Sequence, residues 1–294
     1  MSESYTDTIS QATASSHGIE EIERRLLARR VARERRERIS AVLYPTVALV
    51  AFFAVWEAAS RFGGVPGYIL PAPSVIVQAM QTHGALLLKE SMITTLEIVL
   101  GFGLSILIGI PLALAIFLWP GFSLTVLPLL VSSQAVPKVA VAPLFLVWFG
   151  FGLLPKVLIA FLIAFFPIVI NTAMGLASIE REKVYLAQSM GLGAWPTFFK
   201  IRLPNALPSI FAGLKISITL AVVGAVVGEF VGGQGGLGHL LLVANGNMDT
   251  ALLFAGIAAL TIVGILLYGL IALVERLMLP PHALGAATGA RESM

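Results

Sequence analysis

The amino-acid sequence predicts an all-α membrane protein with six transmembrane helices, and three observations favour this fold class. Of its 294 residues, 57% are hydrophobic and 12% are charged, whereas soluble domains carry about 25% charged residues. The few charges are clustered, and between the clusters lie apolar segments long enough to cross a bilayer as helices, which takes about 20 residues. A single soluble core cannot hide this much apolar surface, so we expect membrane lipid to surround the chain.

The chain divides into a polar N-terminal segment, an apolar domain and a short tail. Residues 1–40 form the predicted cytoplasmic tail and charged arm, because eight of the thirteen arginines lie between Arg24 and Arg38, interleaved with glutamates. Residues 41–277 form the predicted transmembrane domain, and residues 278–294 form a predicted cytoplasmic C-terminal tail. The predicted spans are residues 41–62, 92–118, 122–148, 156–178, 206–230 and 251–274.

Proline and glycine mark the breaks within and between these spans. The third span contains Pro128, Pro137 and Pro143, and each proline removes a helical hydrogen bond. Broken helices persist in membranes only where protein or a wet cavity satisfies the freed carbonyl groups, so the third span is expected to face the protein interior or a pathway. Residues 63–90 and the glycine-rich residues 232–238 are predicted to be outside loops.

Basic residues set the predicted orientation. The arginine-rich arm and the polar loop 179–205 are separated by four spans, so they lie on one side of the membrane. The loop carries Arg181, Lys183, Lys200 and Arg202, and loops rich in lysine and arginine stay in the cytoplasm. The chain is thus predicted to be a multi-pass membrane protein with both termini in the cytoplasm.

The loop 179–205 has the pattern of two short helices. Its charged start is helical in pattern, and Gly191 and Gly193 are expected to end that helix because glycine adopts the left-handed conformation that follows many helices. A second helix is expected from Trp195 to Lys200, with Pro196 in its first turn. Large apolar residues outside the lipid usually mark an interface, and they also fit packing against the protein's own helix ends. These residues are Met190, Leu192, Trp195, Phe198 and Phe199.

Polar residues inside the predicted spans are candidates for a pathway or gate, because burying them in lipid is costly. Lys138 lies near the middle of the third span, where it fits either attraction of an anionic or carbonyl-bearing solute or a structural pair. Glu229 closes the fifth span and fits either an outer gate or a pair. Gln134 and Asn171 lie deep enough to line a path or to bond neighbouring helices. Glu97 is expected near water at the outer end of its span.

Several chemistries are excluded or disfavoured. The chain has no cysteine, so disulfides and thiolate sites are impossible, and its four histidines show no metal-ligand spacing. The glycine pattern from Gly233 to Gly238 follows a membrane helix rather than the strand that a dinucleotide site requires. No phosphate-binding P-loop occurs, and the clustered charge indicates topology rather than nucleic-acid binding. We therefore predict no cofactor, no metal, no nucleic acid and no catalytic site, so the protein is not expected to be an enzyme.

The loop resembles the EAA motif of ABC importer permeases, which runs Glu-Ala-Ala, three residues, Gly, nine residues, Ile, one residue and Leu-Pro. Five residues match in register, whereas Tyr185 and Leu186 replace the Glu and the first Ala of the motif. Other segments resemble the branch of this family that serves nitrate, sulfonate and taurine. The matching loop residues are Ala187, Gly191, Ile201, Leu203 and Pro204, and the other segments are residues 135–143, 148–150 and 236–238.

The resemblance implies a type I ABC importer permease fold, a location in a bacterial inner membrane and a function. The chain would be the transmembrane subunit that forms the solute pathway, working with two ABC ATPase subunits, a second permease copy in a homodimer and an extracytoplasmic solute-binding protein. The implied substrate is a small organic solute or oxyanion of the sulfonate, nitrate or taurine kind, or a pyrimidine or riboflavin-type vitamin precursor. An ion-coupled secondary transporter is the alternative. The residues implied to contact the ATPase are Tyr185, Ala187, Met190, Gly191, Trp195, Phe198, Ile201, Leu203 and Pro204.

Overall fold

The computed structural model describes residues 40, 43–64 and 66–279, and the predicted charged arm and most of the predicted C-terminal tail lie outside these residues. The described residues form helices joined by short turns and contain no strand. A π-helical turn, Phe198–Arg202, joins two of the helices. The helices are α1 Leu43–Phe62, α2 Pro73–Thr82, α3 Gly84–Leu118, α4 Pro120–Ser133, α5 Lys138–Phe149, α6 Leu153–Ala177, α7 Arg181–Ser189, α8 Ala194–Thr197, α9 Leu203–Gly232, α10 Leu237–Gly246 and α11 Thr250–Met278.

Five of the described helices are long and apolar enough to cross a membrane, and six crossings result if the bent pair of α4 and α5 counts as one span. The predicted all-α membrane fold is thereby confirmed. The chain divides into two units, residues 1–65 and residues 66–294. The first unit contains α1, along which the rings of Phe52, Phe53 and Trp56 lie with centroids 5.5 to 6.1 Å apart.

The second span begins earlier than predicted, at Gly84 instead of residue 92. The prediction placed residues 63–90 in an outside loop because of Pro66, Pro71 and Pro73 and the short amphipathic stretch that follows them. In the structure Leu87, Glu90 and Thr94 are buried along α3 at the three- and four-residue spacing of one helical face, so the helix continues through the charges. The later predicted spans agree with α6, α9 and α11 to within a few residues.

The third predicted span is divided into α4 and α5, which meet at an angle of 93°. Pro137 stands at the break, directly before α5, where it has no amide hydrogen to continue the helix. Pro128 and Pro143 lie inside α4 and α5 without ending them. The prediction that proline breaks this span is confirmed, and the structure shows which proline is responsible.

The core consists of α3, α6 and α9, which approach one another closely at small residues. Ala160 on α6 lies between Gly101 of α3 and Gly224 of α9, and a Cβ atom built on either glycine would lie 2.6 Å from an Ala160 atom. Small residues allow such close approach in a membrane, where dispersion contacts rather than hydrophobic burial hold helices together. Larger buried side chains such as Ile168 and Ile218 complete the same core.

The two ends of this core differ, and we name them the loop end, which carries α7 and α8, and the α10 end. At the loop end, the Arg202 guanidinium lies 5.1 Å from the centre of the ring of Phe117, near the end of α3. At the α10 end, Lys156 near the start of α6 donates a 3.4 Å hydrogen bond to the carbonyl of Gly235. The pair of α4 and α5 connects the end of α3 to the start of α6, so it runs from the loop end to the α10 end.

Candidate functional site

The helix α7 and its C-terminal cap form the first part of the predicted coupling loop. Gly191 adopts a φ of 83°. Its amide donates to the carbonyl of Gln188 at 2.9 Å, and the Leu192 amide donates to the carbonyl of Ala187 at 3.1 Å. These two bonds define a Schellman motif, in which a left-handed glycine ends a helix. The predicted helix stop is confirmed at Gly191 but not at Gly193, which has a φ of −70° and precedes the start of α8 instead.

The second part of the loop continues without interruption into a spanning helix. α8, the π-helical turn and α9 form one helical run from Ala194 to Gly232, and the Thr197 hydroxyl donates to a backbone carbonyl just before this run at 2.8 Å. The Trp195 and Phe199 rings stack with centroids 5.9 Å apart. The run therefore joins the loop to α9 without a break.

The nine residues implied to contact an ATPase differ in exposure. Tyr185, Met190 and Trp195 are 62%, 72% and 71% exposed, so these three large side chains are free to contact a partner. Of the others, Ala187 is buried, Phe198, Ile201 and Leu203 are half-buried, and Pro204 is exposed in the first turn of α9. The contact with an ATPase itself stays a prediction.

The structure does not bring the four candidate pathway residues together. Gln134 is exposed at the break between α4 and α5. Lys138 lies at the start of α5, with its ammonium 4.4 Å from the centre of the Phe166 ring, a cation–π contact that partly satisfies its charge. Asn171 donates to a backbone carbonyl one turn earlier in α6 at 2.8 Å. Glu229 lies at the α10 end, and the pathway role of all four stays a prediction.

A cluster of buried polar groups occupies the α10 end of the core and binds the start of α10. The Glu229 carboxylate accepts a 2.6 Å hydrogen bond from the Thr94 hydroxyl. A helix N-terminus leaves amides unsatisfied and carries partial positive charge, and here side chains of α3 and α9 satisfy three consecutive amides. The Gly236 amide donates to the Glu90 carboxylate at 2.6 Å, the Leu237 amide donates to the Thr94 hydroxyl oxygen at 2.7 Å, and the Gly238 amide donates to the Glu229 carboxylate at 2.5 Å.

Glu97 and Lys156 form a buried ion pair beside this cluster. The expectation that Glu97 lies near water is wrong, because its exposed fraction is 0%. Its second carboxylate oxygen has no hydrogen-bond partner among the described residues. The sequence did not single out Glu90, Thr94 or Lys156, because the packing of α3 on α6 and α9 brings them together. A signal was present: Glu90, Thr94 and Glu97 recur at the spacing of one helical face.

Comparison with known proteins identifies the family and its relatives. Residues 101–280 match the family described as binding-protein-dependent transport system inner membrane component. The riboflavin transport system permease protein RibX of Chloroflexus aurantiacus is 40% identical, over 79% of this chain and 87% of its own length. The formylaminopyrimidine transport permease protein ThiX of Halalkalibacterium halodurans is 36% identical, over 81% of this chain and 95% of its own length. The taurine transport system permease protein TauC of Escherichia coli is 29% identical, over 78% of this chain and 86% of its own length.

Among solved structures, an inward-facing MetNI methionine ABC transporter matches with a TM-score of 0.58 and 20% identity, covering 66% of this chain and 97% of that chain. The chain therefore belongs to the family of binding-protein-dependent transport inner membrane components, and its fold is that of a type I ABC importer permease. It is a non-catalytic permease subunit of the inner membrane, and separate ATPase subunits hydrolyse ATP. A substrate-binding protein is a further partner of such permeases.

Proposed function

We propose that α7 and its Gly191 cap dock on the ATPase subunit and couple ATP hydrolysis to solute transport. The observation that carries this proposal is the exposure of Tyr185, Leu186 and Met190, three large side chains along α7 and its cap. Exposed apolar surface of this kind typically marks a contact with another protein. Because Ala187 is buried between these exposed residues, α7 is anchored to the permease while its outer face stays free.

The movement of α7 reaches the pathway through the continuous helical run from Ala194 to Gly232. α9 packs closely on α6, since a Cβ atom built on Gly213 would lie 2.9 Å from the carbonyl oxygen of Pro167. The two helices therefore move together rather than slide. When the ATPase displaces α7, the core tilts as one body and the pathway changes the side to which it opens. The ATPase thus selects between two arrangements by binding them with different affinity.

The assembly in this proposal is a homodimer of this chain with two ATPase subunits. The loop end and both termini lie in the cytoplasm, an orientation supported by Arg181, Lys183, Lys200 and Arg202 at the loop end. The solute-binding protein then approaches the α10 end from outside.

Copurification of two differently tagged copies of the chain is the expected result for a homodimer, and purification of one tag without the other contradicts it.

The substrate in this proposal is a small organic solute, and the relatives favour a nitrogen heterocycle. RibX and ThiX, at 40% and 36% identity, resemble the chain more than TauC does at 29%. Riboflavin and formylaminopyrimidine, named for the first two, are heterocycles, whereas taurine is a sulfonate. Lys138 at the break between α4 and α5 fits a carbonyl-bearing solute as well as an anion.

Replacement of Gly191 by valine in the reconstituted importer tests the docking role. Valine adopts the left-handed backbone at Gly191 only with a strain of ~1–2 kcal/mol, which shifts an equilibrium by about five- to thirtyfold. We therefore expect ATP-dependent solute uptake to fall at least about fivefold. Gly193→Val is the matched control, because Gly193 has a φ of −70°, which valine adopts without strain.

Both variants are checked for membrane insertion and for copurification with the ATPase. If Gly191→Val binds the ATPase and takes up solute at the same rate as Gly193→Val, the docking role is wrong. Uptake by the unmodified protein that continues without ATP and follows an ion gradient would support the secondary-transporter alternative instead.

A further inference from the structure

A cavity of about 780 Å³ opens at the loop end of the core, between α3, α4, α6 and α7. Its walls are mainly apolar, with a few polar side chains among them. This volume and this composition are typical of sites that bind small molecules. None of the candidate pathway residues lines the cavity, so it is distinct from the pathway that those residues would form. The lining includes Phe117, Ser123, Tyr185, Gln188 and Arg202.

The polar groups of this cavity have hydrogen-bonding capacity that the described chain does not use. The side chains of Ser123, Tyr185 and Gln188 make no hydrogen bond to the described residues. Arg202 is half-buried and has no carboxylate partner there, and its guanidinium lies over the Phe117 ring. An arginine carries five N–H donors, and those of Arg202 are free to pair with acceptors of a bound molecule. A ligand with acceptors on its edge would satisfy them.

The arrangement favours a flat ligand over a compact zwitterion. The planar Arg202 guanidinium pairs with two acceptors side by side, and the Gln188 amide offers one donor and one acceptor to the same edge. The rings of Phe117 and Tyr185 provide faces for stacking. Arg202 is the only charged residue in the lining, so the ammonium group of a zwitterion such as taurine would find no carboxylate there. Tyr185 stands where the EAA motif has a glutamate, so an aromatic ring replaces a carboxylate in this wall.

We propose that this cavity binds a planar nitrogen heterocycle of the aminopyrimidine or flavin kind. The assignment rests on the proposed function and narrows its substrate class. The ligand contacts α7 as well as α3 and α6, so the site lies against the element that couples to the ATPase. Solute released on the cytoplasmic side therefore binds where it affects the position of α7, because a ligand shifts any equilibrium whose two states it binds unequally.

Riboflavin binding to the complete importer in lipid nanodiscs, without the solute-binding protein, tests this site. Riboflavin is fluorescent, so its polarisation reports binding, and empty nanodiscs give the background. We expect saturable binding that 4-amino-2-methylpyrimidine displaces and taurine does not. Arg202→Gln and Gln188→Leu are each expected to weaken the affinity, the former by about tenfold or more because a charge-assisted hydrogen bond is lost. Lys200→Gln is the matched control, since Lys200 is an exposed cation outside the lining, and it should bind riboflavin like the unmodified protein.

Three results overturn the proposal: no saturable riboflavin binding, equal affinity in Arg202→Gln and Lys200→Gln, or displacement by taurine in place of the pyrimidine. Gln188→Leu keeps the test decisive if Arg202→Gln does not elute as a folded complex, because Gln188 lies on the exposed face of α7. The ATPase content of each preparation is measured in parallel. A preparation that retains its ATPase and binds no heterocycle refutes the cavity site alone, whereas loss of the ATPase from the unmodified protein refutes the proposed function.

Discussion

At the scale of single residues, Lys156 decides the charge balance at the α10 end. It is the only buried cation among the described residues, and it lies among three buried carboxylates, those of Glu90, Glu97 and Glu229. Its ion pair with Glu97 compensates a charge that no water reaches. Removing one partner of such a pair costs about 3–5 kcal/mol, because the other charge stays buried without compensation, whereas replacing both partners is often nearly neutral.

We expect Lys156→Met to lower the unfolding temperature of the detergent-solubilised protein by several degrees, because it leaves the Glu97 carboxylate buried without its cation. The measurement is the temperature at which the folded peak disappears in fluorescence-detected size-exclusion chromatography. The double variant Glu97→Gln/Lys156→Met should recover most of the loss. Lys200→Met is the control, since Lys200 is exposed at the loop end, away from this cluster. A midpoint for Lys156→Met equal to that of Lys200→Met would show that the ion pair contributes nothing.

At the scale of elements, α10 is held by side chains that are far away in sequence. The Gly236 amide donates a hydrogen bond to the Glu90 carboxylate, 146 positions earlier in the chain, and the Leu237 amide donates to the Thr94 hydroxyl, 143 positions earlier. Thr94 is central, because its single oxygen donates to Glu229 and accepts from Leu237. Without that hydroxyl, a buried amide and a buried carboxylate each lose a partner, and each unsatisfied group costs about 1–3 kcal/mol.

We expect the isosteric change Thr94→Val to loosen α10 while the spanning helices keep their order. The chain has no cysteine, so Leu242→Cys places a single spin label on the exposed side of α10, and Ile262→Cys places a reference label on α11. In the Thr94→Val background, the electron paramagnetic resonance spectrum of the α10 label should become more mobile and that of the α11 label should not. Unchanged spectra at both positions would show that the Thr94 hydrogen bonds do not hold α10 in place.

The elements that the sequence predicts are those whose causes are local. The cap at Gly191, the second loop helix near Trp195 and the break at Pro137 each depend on one residue's backbone preferences, and all three are confirmed. The burial of Glu97 and the anchoring of α10 depend on contacts between α3, α6 and α9, which a single sequence does not display. For the same reason, the loop residues of the candidate site could be predicted, whereas the polar cluster and the cavity at the loop end could not.

At the scale of the whole molecule, the pair of α4 and α5 decides how often the chain crosses the membrane. A 93° bend fits either a broken span or a re-entrant loop, and the contacts at its two ends favour a span. Phe117, just before the pair, lies against Arg202 at the loop end. Lys156, just after the pair, donates a hydrogen bond to the carbonyl of Gly235 at the α10 end. The pair therefore starts and finishes at opposite ends of the core, which favours one broken span over a re-entrant loop.

Labelling of single cysteines in intact cells tests this topology. Trp119 and Phe151 are exposed at the two ends of the pair, and Met190 and Met248, also exposed, serve as references for the loop end and the α10 end. If the pair spans the membrane, an impermeant maleimide added outside should label Phe151→Cys and Met248→Cys, and it should reach Trp119→Cys and Met190→Cys only after the cells are opened. Labelling of Trp119→Cys and Phe151→Cys from the same side would make the pair re-entrant and reduce the crossings to five, with the termini on opposite sides of the membrane.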